Sequence, residues 1–137
     1  MISLIRKLLI AVAILAITTT NDVAGQDGTL ATTEQVFDHY GVGREVRGAT
    51  IFVTYQYKYT HDRPREQINL DYTYNEPDGN KITQVLLLVE TDEQGGSSEA
   101  YLTGGGIDQS TISLRIIGKN TAQLRYMVIV FGLKSDK

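Results

Sequence analysis

The chain has 137 residues and carries 13 Lys and Arg against 16 Asp and Glu, a formal net charge of −3. Such mild acidity leaves no basic footprint of the kind nucleic-acid binding requires, so no nucleic-acid partner is expected. The complete lack of cysteine excludes disulfides, thiol catalysis and thiolate metal sites.

Arg6 and Lys7 precede an apolar run from Leu8 to Ile17, and Thr18 to Asp22 is polar. This is the order of a secretory signal peptide. A helix needs about 20 apolar residues to span a bilayer, and this run is half that length, so no permanent membrane anchor is expected. Val23 and Gly25 place small residues at the end of the leader, which predicts cleavage after Gly25 and a secreted, extracellular product beginning at Gln26. The expected organisation is a signal peptide over 1–25, a flexible polar lead-in over 26–35, a single β domain over 36–133 and a polar tail over 134–137.

Within the domain, Ile51, Val53, Tyr55, Tyr57 and Tyr59 alternate with Phe52, Thr54, Gln56 and Lys58, the period of a half-buried strand. His61 to Glu66 reads as a charged turn, after which Ile68, Leu70, Tyr72 and Tyr74 alternate as a second strand. Pro77-Asp78-Gly79 signals a turn. Ile82 to Val89 is apolar nearly throughout, which fits a strand covered on both faces, with a buried helix as the alternative. Gly95-Gly96 marks a turn, Ala100 to Thr103 a short strand, and Gly104 to Gly106 a turn or bulge. Strands are then expected over Ile112 to Ile116 and Ala122 to Phe131, separated at Gly118 to Thr121. The sum is an all-β protein, a small antiparallel sandwich or barrel of about six to eight strands without disulfides.

Candidate chemistry is sparse. Asp38-His39 and His61-Asp62 lack a companion nucleophile and read as solvated loop residues. Two histidines and no cysteine provide no metal set, so neither a metal nor a cofactor is expected. Gly104 to Gly106 is not followed by Gly-Lys-Ser/Thr, and Val46 stands where a third glycine would complete a Gly41-x-Gly43 fingerprint. Glu90, Asp92, Glu93 and Glu99 form an acidic turn without EF-hand order. No catalytic residue emerges, and the chain is not expected to be an enzyme. Tyr55, Tyr57, Tyr59, Tyr72 and Tyr74 form the candidate binding surface, with cross-strand core packing as the alternative. Gly43, Gly96, Gly105, Gly106 and Gly132 are structural turn positions, and Gly105 and Gly132 are expected at positive φ.

The segments Ile82-Thr83-Gln84-Val85, Gly96, Ala100 to Gly106, Ile112 to Arg115 and Tyr126 to Gly132 together resemble the insect multiprotein bridging factor two family. Ile107 and Asp108 replace the proline and glycine of its Gly-Gly-Pro-Gly turn, and Gly118 replaces a serine. The resemblance implies one of two settings, because many family members are short secreted or salivary proteins whereas the family name comes from a coactivator. With the leader, the expectation is a secreted non-enzymatic domain that binds an unknown extracellular protein or small ligand in saliva or haemolymph. The alternatives are a transcriptional coactivator bridging a regulator to the general transcription machinery, and a small-ligand carrier whose tyrosines line a cavity.

Overall fold

β-Branched and aromatic residues in alternation make strands, and the computed structural model, described for residues 2–3, 10–13, 34–92 and 95–136, contains no helix among them. The strands are β1 (Ile2–Ser3), β2 (Ile10–Ala13), β3 (Glu34–Gly43), β4 (Thr50–Asn75), β5 (Lys81–Thr91), β6 (Ser97–Gly105) and β7 (Thr111–Leu133). All pairings are antiparallel, and β3 to β7 make one sheet to which β1 adds beside β6 and β2 beside β3. The all-β antiparallel class is therefore the one the alternation indicates. Gly25, most of the expected leader and the lead-in up to residue 33 lie outside the described residues.

Two pairs of expected strands are in fact two single long ones. His61 to Glu66 is not a turn between strands, because Thr60 pairs with Gln123 and Arg65 with Thr121, leaving His61 to Pro64 as a bulge opposite Ala122. Pro64 has no N–H to give a ladder and is tolerated where the ladder is already interrupted. Nor does β7 break at Gly118 to Thr121. Asn120 instead adopts φ 51°, a conformation asparagine accepts at little cost, and redirects the strand. On the other side of β7, β5 ends with Thr91 opposite Leu124, and β6 begins with Ser97 opposite Lys119.

These three irregularities stand at one level, so the sheet creases along a line crossing β4, β7 and the β5–β6 connection. The wholly buried Thr121 staples the crease. Its Oγ1 donates to the Gln123 carbonyl at 2.6 Å and accepts from the Asp92 N–H at 3.0 Å, while Asp92 Oδ2 accepts from the Ala122 N–H at 2.5 Å. Polar groups that would otherwise lose water at a buried corner are thereby paired.

Creasing turns the two halves of β7 toward one another around a shared core. Ile112, Leu114 and Ile116 from the first half and Leu124, Tyr126, Val128 and Val130 from the second are all 4% exposed or less, and Ile82, Leu87 and Val89 of β5 join them. Each such aliphatic side chain contributes about 1.5–3 kcal/mol of transfer free energy. At the end remote from the crease the halves are tied directly. Ile82 N–H donates to the Gln109 carbonyl at 2.9 Å and Asp108 N–H to the Ile82 carbonyl at 2.8 Å, while Lys81 pairs with Leu133. On the β3 side, the Tyr40 hydroxyl donates to the Ser98 carbonyl of β6 at 2.8 Å.

Candidate functional site

The pleat gives each half of the creased sheet an inner and an outer face. Along β4 the residues paired with buried positions of β7 point inward: Tyr55 faces Val128, Tyr57 faces Tyr126, Tyr59 faces Leu124, Tyr72 faces Leu114 and Tyr74 faces Ile112. The five tyrosines thus lie on the core side, at the margin where the two halves of β4 approach each other. Tyr55 meets Tyr72 at 5.1 Å between ring centroids, and Tyr57 meets Tyr126 at 6.0 Å. Tyr59 neighbours the His61 ring, and Tyr59 and Tyr74 pack against the core. Tyr55 and Tyr57 remain 40% and 42% exposed, whereas Tyr72 is buried. Burial, and then the proximity of Tyr55, Tyr72 and Tyr57, pushes the Tyr126 hydroxyl up to about 12.

The outer faces of the two halves differ sharply in chemistry. On the half built from β6, the first part of β7 and the second part of β4, it is polar and paired. Arg115 Nε donates to Asp71 Oδ1 at 2.8 Å, Lys119 Nζ to Glu99 Oε1 at 2.7 Å, and the Thr73 and Ser113 hydroxyls meet at 3.0 Å. The Arg115 guanidinium holds the Asp71 carboxyl below its ordinary range, and Lys119 does the same for Glu99.

On the other half the outer face carries an apolar strip along β5 and β7, flanked by Gln84 opposite Phe131, His39 opposite Leu88, and Thr54 and Gln56 opposite Ile129 and Met127. Met127, Ile129, Phe131 and Leu133 of β7 alternate with buried residues, Leu86 and Leu88 of β5 stand opposite Ile129 and Met127, and Ile51 of β4 stands opposite Phe131. Ile51 and Leu133 are 58% and 36% exposed, the others are half-buried, and none belongs to the core cluster. The expectation for this β5 run was a strand covered on both faces. The structure covers one. The signal was present in the two runs Val85 to Val89 and Met127 to Phe131, both apolar at every position, because such runs need a second layer or a partner.

The remaining candidates disperse. Ser98 Oγ donates to Asp38 Oδ2 and lies 2.9 Å from the Tyr40 hydroxyl, a polar latch between β3 and β6. His61 of the bulge contacts Arg65, the residue at which the ladder resumes. Of the acidic turn, Glu90 pairs with Arg125, Asp92 caps the crease, Glu99 binds Lys119, and Glu93 lies outside the described residues. Two clefts of about 330 and 350 Å³ open at the surface, one between Gly43, Thr83 and Ile107 and one at the His61 to Arg65 bulge. The tyrosines line neither of these clefts.

Gly43, Gly105 and Gly106 take positive φ, Gly105 at 64°, and Gly96 sits against Thr91 and Thr121 at the crease. Gly132 is not at positive φ. Its requirement is space, since a Cβ there would run into the Phe52 ring and come within 2.5 Å of the Lys81 carbonyl.

No curated protein and no solved structure matches the chain. Residues 42–132, about two thirds of it, match the family model described as transcription activator MBF2. That description overturns the expectations of an extracellular location and of an extracellular protein or small ligand as partner. It points instead inside the cell, to protein partners in transcription, and it removes the ground for excluding nucleic acid from the assembly. The segments that carry the resemblance fall on β5, β6 and β7, the strands around the crease, with Gly96 and Gly106 just outside the two ends of β6. With the match spanning most of the described sheet, the chain belongs to the transcription activator MBF2 family.

Proposed function

We propose that this protein works by binding rather than catalysis, as a coactivator that bridges a sequence-specific regulator to the general transcription machinery. The family match supports the setting. The observation that carries a binding role is the apolar outer face of β5 and β7, with Ile51 and Leu133 exposed on it. Contiguous apolar surface of this kind costs solubility and is characteristic of sites where another protein docks. Nothing comparable supports a reaction, since the titratable side chains near one another are engaged in pairs that hold strands together.

Reconstituted transcription from purified factors tests this reading. Adding the protein should raise transcript from a promoter occupied by its regulator and leave a promoter without the regulator's site unchanged. The His61→Ala variant, whose change lies in the β4 bulge away from the apolar strip, should act like the parent. Equal transcript with and without the protein would refute the bridging role, and loss of effect in the histidine variant would refute a purely binding one.

A further inference from the structure

Which kind of partner the apolar face takes can be read from its dimensions and its rim. Between Arg125 and Leu133 the β7 stretch is roughly 26 Å long, and β3, β5, β7 and the first part of β4 side by side are roughly 14 Å wide. The apolar side chains fill mainly the β5 and β7 columns, about half of that rectangle, so the apolar part is of order 200 Å² and about a quarter of what each partner contributes to a standard stable interface. That is too little for two copies of the chain to hold together face to face. It suits a single α-helix, whose diameter with side chains is about 10–12 Å and which covers 26 Å with about 17 residues.

The rim supplies the charge preference. Lys58 stands directly opposite Arg125 at one end, a like-charge cross-strand pair that is destabilising by itself. Glu90 on the far side of Arg125 offsets one of the two cations. Lys81, opposite Leu133, marks the other end. Both ends of the apolar strip therefore carry lysine, whereas the other outer face of the molecule satisfies its cations internally through Asp71 and Glu99.

We infer that the face formed by Leu86, Leu88, Met127, Ile129, Phe131 and Ile51 is the docking site for an acidic amphipathic helix of a partner protein. Its apolar stripe would lie along β7 and β5 and its carboxylates would reach Lys58 and Lys81. This rests on the bridging reading and specifies the chemistry of one of its contacts. Helix-on-sheet packing is a standard way to bury a single apolar sheet face, and carboxylates at Lys58 would give that cation a partner of the kind Arg125 has in Glu90.

The test uses the full chain and two labelled synthetic peptides with leucine and phenylalanine at helical spacing, one filled with glutamate and one with lysine, followed by fluorescence anisotropy. The acidic peptide should bind more tightly by about tenfold or more, and added salt should weaken it. The double variant Met127→Ser, Ile129→Ser should lose most of that binding while circular dichroism still reports the parent's strand content. Arg115→Glu on the opposite outer face should change nothing, and Lys58→Glu with Lys81→Glu should reverse the preference between peptides. Equal affinity for both peptides, or binding indifferent to the serine substitutions, would overturn the inference. So would sedimentation showing a dimer that Met127→Ser dissociates, since the face would then belong to a second copy. If the chain stimulates transcription but fails to bind the acidic peptide, the docking inference falls and the bridging role stands. If it binds the peptide but is inert in transcription, the docking site stands and the bridging role falls.

Discussion

The Tyr55 ring stacks on the Tyr72 ring with centroids 5.1 Å apart and planes 30° off parallel, although both residues belong to the single strand β4. A straight strand cannot bring them together, so their contact is a direct readout of the crease at His61 to Pro64. Replacing Tyr72, which is buried, with alanine should cost about 3–5 kcal/mol, and replacing the more exposed Tyr55 should cost less. A double-mutant cycle with Tyr55→Leu and Tyr72→Leu, followed by urea unfolding, should return a coupling of about 0.5–1.5 kcal/mol. Strict additivity would mean that the two halves of β4 do not meet in solution.

Alkaline titration should find Tyr126 the latest of several tyrosines whose ionisation is delayed, Tyr40, Tyr72, Tyr74 and Tyr101 among them. Tyr126 is pushed up to about 12 in the folded state, above the ordinary tyrosine value of 10.0. Because the folded pKa is the higher one, the stabilisation this implies is fully present below about pH 10, where the unfolded chain begins to ionise. It is lost as pH rises from there through the folded value. A rise from 10.0 to about 12 is worth about 2.7 kcal/mol at full effect, and solvent screening leaves a loss of about 1–2 kcal/mol. Absorbance at the tyrosinate band should show a group that ionises well after the exposed tyrosines, and Tyr126→Phe should remove this part of the alkaline instability.

Two glycines should resist substitution for different reasons. Gly105 has φ 64°, and a Cβ there would also strike the Thr111 backbone, so Gly105→Ala combines strain with a clash and should cost more than the ~1 kcal/mol of conformational strain alone. Gly132→Ala should destabilise through the Phe52 ring, and adding Phe52→Leu should recover part of the loss. Thermal melts of the three variants decide the matter, and no recovery in the double variant would remove the steric explanation.

At the crease, Thr121→Val keeps the volume but removes the Oγ1 that serves the Asp92 N–H and the Gln123 carbonyl. Stranding those groups in a buried corner should cost about 1–3 kcal/mol. Hydrogen exchange should accelerate at Asp92 and Ala122 before it does at Val128. Uniform acceleration along β7 would show instead that the corner has no separate stability.

The strand class was legible in the sequence because alternation fixes side-chain direction, and Tyr55, Tyr57 and Tyr59 share a face in the pattern and in the fold; Ile51, which the pattern puts with them, is instead turned to the outer face by a bulge between Ile51 and Val53. The merging of strands was not. His61 to Glu66 has the composition of a turn, and only the pairing of Arg65 with Thr121 shows that the chain resumes the same ladder after a bulge. Asn120 is similar, since a positive φ at one residue can end a strand or bend it, and local sequence does not distinguish the two. The apolar face was visible as residues and invisible as a surface. A run such as Val85 to Val89 says that both faces are apolar, but whether the second layer comes from the same chain depends on where every other strand goes.

The position of β7 has a consequence for how the protein is made. Both halves of β4, most of β5 and nearly all of β6 find their hydrogen-bonding partner in this strand, which follows them in the chain, and Thr50 waits for Gly132. A ribosome releases β4 and its tyrosines well before anything can pair with them, so the nascent chain stays open until β7 emerges. Folding should then be slow for a protein of this size, as it is for other topologies dominated by distant contacts, and dependent on protection of the unpaired strands during synthesis.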